Sequence, residues 1–281
     1  MNRIEQDQPI RRILVALDSS PASLAVLQQA VALAVTLKAE LLGLFVEDIN
    51  LVRLAELSFT QEVGLFSATS RRLEIRYVER QLRAQANRVR QALATLAGRA
   101  GLHWSFRVAR GIIATELLAA ASEADLVILG RVGASSRGKG IGSTARTVLL
   151  QATQLTLIVH PGVRLQLPYL VIYDGSPVAQ KALVAAAQLT PVQNSQWVVL
   201  ILADTPEASQ HLQQEADSNL AAQGITGRYL WWRSMDGPAA LRLIRAEGCG
   251  LLVLASNGTA LDQETIFALL AQVDCPVLLV R

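Results

Sequence analysis

Ile13-Leu-Val-Ala-Leu-Asp18-Ser-Ser-Pro21 is an apolar run that ends in an acid, two serines and a proline. An unbroken apolar run without polar alternation reads as a parallel strand buried on both faces. Asp-x-Ser-Pro after it reads as a turn that opens a helix, with proline at the first helical position. The phrase returns past the middle of the chain as Tyr169-Leu-Val-Ile-Tyr-Asp174-Gly-Ser-Pro177, and an Ala/Leu-rich stretch follows each copy. Self-similarity of this kind makes the chain a tandem repeat.

The later elements repeat in the same order. In the first copy, residues 41–46, 104–109, 126–129 and 155–159 read as further strands, with a short helix over 114–122. Their counterparts are residues 197–202, 228–232, 251–254 and 277–280, with a helix after Asp236-Gly-Pro. Strands alternating with helices at this spacing predict an α/β fold of two parallel sheets with right-handed crossovers, five strands in each, for which the doubly wound order 3-2-1-4-5 is expected. The boundary is expected in His160-Pro-Gly-Val-Arg-Leu-Gln-Leu-Pro168, which gives domains 1–163 and 164–281.

Between the second and third strands of the first copy, Leu73, Tyr77, Leu82, Ala86, Val89, Leu93 and Leu96 recur at spacings of three to five, as on an amphipathic helix. Arg71, Arg72, Arg76, Arg80, Arg83, Arg88 and Arg90 crowd its other positions. They read as a solvated face, with a docking surface for an acidic partner as the sharper alternative. Residues 50–70 are less regular and read as a cover or partner contact.

Bulk properties exclude several classes. The chain has 281 residues, 51% hydrophobic and 17% charged, which suits two buried cores and argues against disorder. No apolar run reaches the roughly 20 residues that span a bilayer, and the polar start MNRIEQDQPIRR lacks a secretory apolar region. A cytoplasmic location without membrane insertion is the expectation. Net charge is +3, too small to imply nucleic acid. Residues 1–163 carry 19 basic and 13 acidic side chains, residues 164–281 carry 7 and 10, which reads either as an anion-binding first half or as a drift in solvated surface charge. Cys249 and Cys275 flank apolar runs without metal-ligand spacing and read as buried, reduced thiols.

The chemistry-bearing stretch is Gly130-Arg-Val-Gly133-Ala-Ser-Ser-Arg-Gly-Lys-Gly-Ile-Gly142-Ser143-Thr144-Ala-Arg146. Five glycines in thirteen residues allow a backbone to turn its N–H groups onto a ligand. Ser143 and Thr144 stand where the next helix begins, an end that favours phosphate, and Arg137 and Lys139 add charge. The order 3-2-1-4-5 opens a crevice between strands one and four, which brings Asp18 and Gly130 together. Asp18 there bonds a ribose hydroxyl or a metal-bound water; its plainer reading is a helix cap.

On these residues the chain resembles the universal stress protein family, whose ATP-binding members carry Gly-x2-Gly-x9-Gly-Ser/Thr after the fourth strand. Here the pattern is Gly130-x2-Gly133-x8-Gly142-Ser143, one residue short. The resemblance covers nearly the whole chain, once per half, and implies Rossmann-like domains of the adenine nucleotide alpha hydrolase-like type. It implies that ATP, with Mg, binds the first domain. Ala16, Leu17 and Asp18 would line the adenosine pocket, and Phe45 would offer its backbone to adenine. Leu129, Gly130, Val132 and Gly133 would pack on ribose and phosphates, with Gly142, Ser143 and Thr144 holding the phosphates. The family also implies that the halves pair through their fifth strands as an internal pseudo-dimer, with a homodimer as a further level.

The second half departs from the pattern. Ala255 replaces the first glycine, Gln263-Glu264-Thr265 aligns with Gly142-Ser143-Thr144, and the loop is four residues shorter. Glu264 puts a carboxylate where phosphate belongs, and Asp174 is left to cap its helix. A degenerate domain that binds no ATP is expected. No nucleophile–base pair is evident, and His103, His160 and His211 are scattered, so any ATP hydrolysis is slow and incidental. Three rivals stay open. One is an adenine-nucleotide hydrolase or adenylyltransferase, though its Ser-Gly-Gly-x-Asp-Ser and His-x-Gly-His signatures are missing. The others are an interaction scaffold that binds no nucleotide and a transporter-regulating subunit.

Overall fold

The computed structural model describes residues 9–56, 61–63, 70–72, 75–131, 140–190, 196–233, 237–256 and 260–281. In the first half, β1 (Arg12–Ala16), β2 (Glu40–Asp48), β5 (Trp104–Gly111), β6 (Leu126–Gly130) and β7 (Leu155–Val159) are strands of one sheet. The second half contributes β8 (Tyr169–Tyr173), β9 (Gln196–Leu202), β10 (Thr226–Trp232), β11 (Leu251–Ala255) and β12 (Val277–Val280). Helices α1 (Pro21–Leu37), α3 (Ile75–Arg99), α4 (Ile113–Ala121) and α5 (Ser143–Gln151) cover the first set, with a short α2 (Ile49–Glu56). Helices α6 (Pro177–Gln188), α7 (Pro206–Ala221), α8 (Gly237–Ala246) and α9 (Gln263–Gln272) cover the second.

The fold is α/β, and its order is β10-β9-β8-β11-β12-β7-β6-β1-β2-β5. The expected order therefore appears within each half, β5-β2-β1-β6-β7 and β10-β9-β8-β11-β12. In place of two separate sheets there is one of ten strands, since β7 and β12 pair antiparallel, Leu157 opposite Leu278. A small antiparallel ribbon, β3 (Gln61–Val63) with β4 (Ser70–Arg72), adds a second departure. Arg71 and Arg72 thus belong to a strand rather than to the helix that follows. Leu73 lies outside the described residues.

Alternation explains the two-layer core. Ile13 and Val15 face the cluster under α1 and α3, while Leu14 faces the one under α4 and α5. Helix α3 buries Val78, Leu82, Ala86, Val89, Leu93 and Ala97, so Val78 rather than Tyr77 holds its seam, and Arg76, Arg80, Arg83, Arg88 and Arg90 are exposed. Gly43 lets that helix approach: a Cβ there would stand 2.6 Å from Leu93 Cδ2. Among the described residues, no helix is long and apolar enough to cross a membrane.

Arginines join the halves beyond the β7–β12 pairing. Arg131 Nη1 donates to the carbonyls of Ala271 and Val273 at the end of α9 (3.1 and 3.3 Å), and Arg281 Nη1 donates to Leu150 at the end of α5 (2.7 Å). Both guanidinium groups complement negative helix ends. Arg146 on α5 lies 4.8 Å over the Phe267 ring on α9.

Candidate functional site

The C-terminal ends of β1, β2 and β6 and the start of α5 enclose a cavity of about 360 Å³. It lies where the strand order reverses, between β1 and β6, the usual ligand crevice of an open parallel sheet. Ala16, Leu17 and Asp18 enter it from β1 and Phe45 from β2. Leu129 and Gly130 enter from β6, and Gly142, Ser143 and Thr144 from α5. The structure therefore brings together every described residue that the sequence analysis offered for the nucleotide site. Val132 and Gly133, with Arg137 and Lys139, lie outside the described residues. The Phe45 ring is 3% exposed and packs in the core cluster under α1 and α3.

Asp18 does not cap its helix. Ser20 does, its Oγ accepting from the Ser23 amide at 3.1 Å. Asp18 Oδ1 accepts from the Ser20 amide at 2.9 Å, and the Asp18 amide donates to Ser23 Oγ at 2.9 Å. This side-chain turn fixes the carboxylate at the lip of the cavity before the helix starts. The second half reproduces the turn, with Asp174 Oδ1 accepting from the Ser176 amide (3.0 Å) and Ser176 as the cap. Asp174 is thus no cap either.

The start of α5 carries no side-chain cap. Ser20, Ser176, Thr205 and Asp262 cap α1, α6, α7 and α9 with side-chain oxygens, whereas Gly142 before α5, like Ile112 before α4, makes no capping side-chain bond. Its φ of −61° and ψ of 150° suit any residue, so the backbone does not demand glycine. The Gly142 amide donates to the Arg131 carbonyl at 2.9 Å, which pins the two ends of the glycine-rich loop together. The first amides of α5, on Ser143, Thr144 and Ala145, lack intrahelical acceptors and belong to residues that line the cavity. An uncapped positive helix end beside a cavity is an anion site in waiting.

The matching crevice of the second half has closed to about 10 Å³, lined by Ile172, Asp174, Leu202, Ala255 and Leu261. Asp174 Oδ2 accepts from the Ala260 amide at 2.6 Å, and the neighbouring Leu261 is buried. Asp262 Oδ1 accepts from the Thr265 amide, and the Thr265 side chain first and this amide second hold its carboxyl below the usual range. By position at the helix start, Asp262 rather than Gln263 stands opposite Gly142. Twelve residues separate β6 from α5 and seven separate β11 from α9, so the loop is five residues shorter, not four, and α9 is one residue longer than α5. Glu264 sits exposed in the first turn, second to Asp262 in occupying that helix end.

Sequence reasoning missed the apolar wall. Val46, Leu51, Leu82, Ile113 and Leu117 line the cavity, with Gln85 and Asp48. Leu82 was visible as a seam residue of α3, and the helical spacing also carries Gln85 to that face. Leu51 falls in the stretch read as a cover. Near it, Glu47 is 7% exposed, and Arg110 neutralises it at 2.8 Å while also bonding Glu79 of α3 at 3.2 Å. Among the described residues, no cluster of three or more His, Cys, Asp or Glu could hold a metal by itself.

The sequence profile of the Universal stress protein family matches residues 9–160. In fold, the chain is similar to a universal stress protein from Archaeoglobus fulgidus DSM 4304, at 19% identity and a TM-score of 0.73, over 96% of this chain and 98% of that one. A functionally unknown protein from Pseudomonas aeruginosa PAO1 aligns at 15% identity and a TM-score of 0.55, over 96% and 92%. No curated protein sequence matches the chain.

Proposed function

The chain belongs to the universal stress protein family, and we propose that its first half, residues 1–163, binds ATP while residues 164–281 form a degenerate partner half. One observation supports this above the rest: the uncapped start of α5 adjoins a cavity of about 360 Å³, whereas Asp262 and Leu261 occupy the equivalent place in the second half. Triphosphate oxygens accept from the amides of Ser143, Thr144 and Ala145, and the missing Gly142 side chain leaves room for them. Adenine lies against Val46, Leu82 and Leu117, with the backbone of β2 at Phe45 alongside. Asp18 faces the ribose or the metal. Mg²⁺ typically takes one or two carboxylates and completes its shell with phosphates and water, so a single Asp18 carboxylate fits a nucleotide-borne Mg²⁺.

The role is binding and regulation rather than turnover, a reading supported by the placement of all three histidines outside the described lining of the cavity. The two halves act as an internal pseudo-dimer across β7 and β12, and whole chains pair again as a homodimer, which light scattering would test. Mass spectrometry of ligand released by acid from the purified chain tests the central reading. ATP at about one per chain is expected; no affinity for added MgATP would refute it and favour the scaffold.

A further inference from the structure

Cys249 and Cys275 place their sulfurs 3.4 Å apart. They are the two cysteines of the chain and lie 26 residues apart in sequence. Cys249 sits in the turn between α8 and β11, after Gly248 at a φ of 63°, and Cys275 sits between α9 and β12. The Leu252 amide donates to the Pro276 carbonyl at 2.9 Å, so the two strand starts that carry the sulfurs are tied together. Both stand at the N-terminal ends of parallel strands, away from the crevice. Cys249 is half-buried, and Cys275 is 5% exposed. A disulfide requires about 2.05 Å between sulfurs, so closing this gap asks for roughly 1.4 Å of approach, within reach of side-chain rotation.

We propose that Cys249 and Cys275 form an oxidisable dithiol site, closed to an intramolecular disulfide by a small hydroperoxide such as hydrogen peroxide. Cys249 reacts first because peroxide reaches it and not the buried Cys275, although the bond with the Cys275 sulfur and then burial push the Cys249 thiol up: its thiolate fraction attacks one peroxide oxygen, the O–O bond breaks, and the departing hydroxide takes up a proton to become water. Cys249 is then a sulfenic acid. The Cys275 sulfur attacks the Cys249 sulfur, the S–O bond breaks, and hydroxide leaves with the Cys275 proton as a second water. Two thiols and one peroxide yield one disulfide and two waters, with two electrons passing from sulfur to oxygen. Burial of Cys275 directly behind Cys249 makes ring closure faster than capture of a second peroxide.

The test uses the full reduced chain, freed of reductant and treated undenatured with a slight excess of hydrogen peroxide before alkylation in denaturant. The expected result is that intact mass falls by two hydrogen atoms and alkylatable thiols fall from two to none. A peptide pair linking positions 249 and 275 then appears, and dithiothreitol reverses it. In Cys275→Ser, which lacks the resolving thiol, dimedone labels Cys249, whereas the native chain takes up none. Two thiols surviving treatment, oxygen adducts without a cross-link, or cross-links only between chains would each overturn the proposal.

Discussion

Asp262 Oδ1 accepts a 2.7 Å hydrogen bond from the Thr265 amide, at the helix start that corresponds to the one following Gly142. A side-chain carboxylate therefore already sits where a ligand phosphate would bind. In the first half Gly142 makes no capping side-chain bond at that position.

Substituting Gly142→Glu puts a carboxylate at the first-half helix end. The φ of −61° tolerates a side chain, so stability should stay within about 0.5 kcal/mol of the native chain. ATP affinity should fall at least about 100-fold, the loss of one or two charge-assisted hydrogen bonds. Calorimetric titration beside a thermal melt separates the two effects. Unchanged binding would show that the phosphates lie elsewhere.

The reverse graft should fail. Replacing Ala255 and Gln263 by glycine and Glu264 by serine leaves Asp262 on the Thr265 amide, Leu261 in the crevice and the loop five residues short. Titration should still give one ATP per chain. A stoichiometry of two would contradict this explanation of the closed crevice.

Much of this was legible in the sequence, and the failures have local causes. Unbroken apolar runs such as residues 13–17 mark doubly buried strands whatever surrounds them, so the order within each half could be read. The antiparallel joining of β7 to β12 is a tertiary event between edge strands that look like any other, and only the family resemblance, which implies fifth-strand pairing, pointed to it. The cap expected of Asp174, and the plainer alternative for Asp18, rest on the preference of aspartate for that position; Ser20 and Ser176, two residues later, take it instead. Aligning the second half backwards from β12 hid the extra residue of α9 and with it the role of Asp262. The nearness of Cys249 to Cys275 depends on which strands are neighbours, which spacing along the chain does not encode.

His160 predicts a pH dependence. It directly follows β7, is 7% exposed, and its Nε2 has no partner among the described residues. Burial first, then the Arg131 charge, pull its pKa down to about 4, with Asp274 opposing. The unfolded chain takes up this proton near pH 6.5 while the folded chain resists until about 4. Stability is therefore full above 6.5 and is lost between 6.5 and 4, by roughly 3 kcal/mol. Urea titrations at pH 7 and pH 4.5 should show a smaller drop in His160→Gln than in the native chain. Equal drops would refute the assignment.

Arg131 crosses between the halves to the carbonyls of Ala271 and Val273. Arg131→Ala strands these acceptors and should cost about 2 kcal/mol, read as a lower urea midpoint with an unchanged slope. The main-chain bond from Gly142 to the Arg131 carbonyl survives the change, so ATP affinity should move less than threefold. A large affinity loss without a stability loss would invert the role given to this side chain.

The most direct measurement is a crystal structure of the chain grown with excess MgATP. Triphosphate density against the amides of Ser143, Thr144 and Ala145, with the crevice around Leu261 empty, is the predicted result. Nucleotide seated at α9, or a first-half cavity left vacant at saturating ATP, would contradict it.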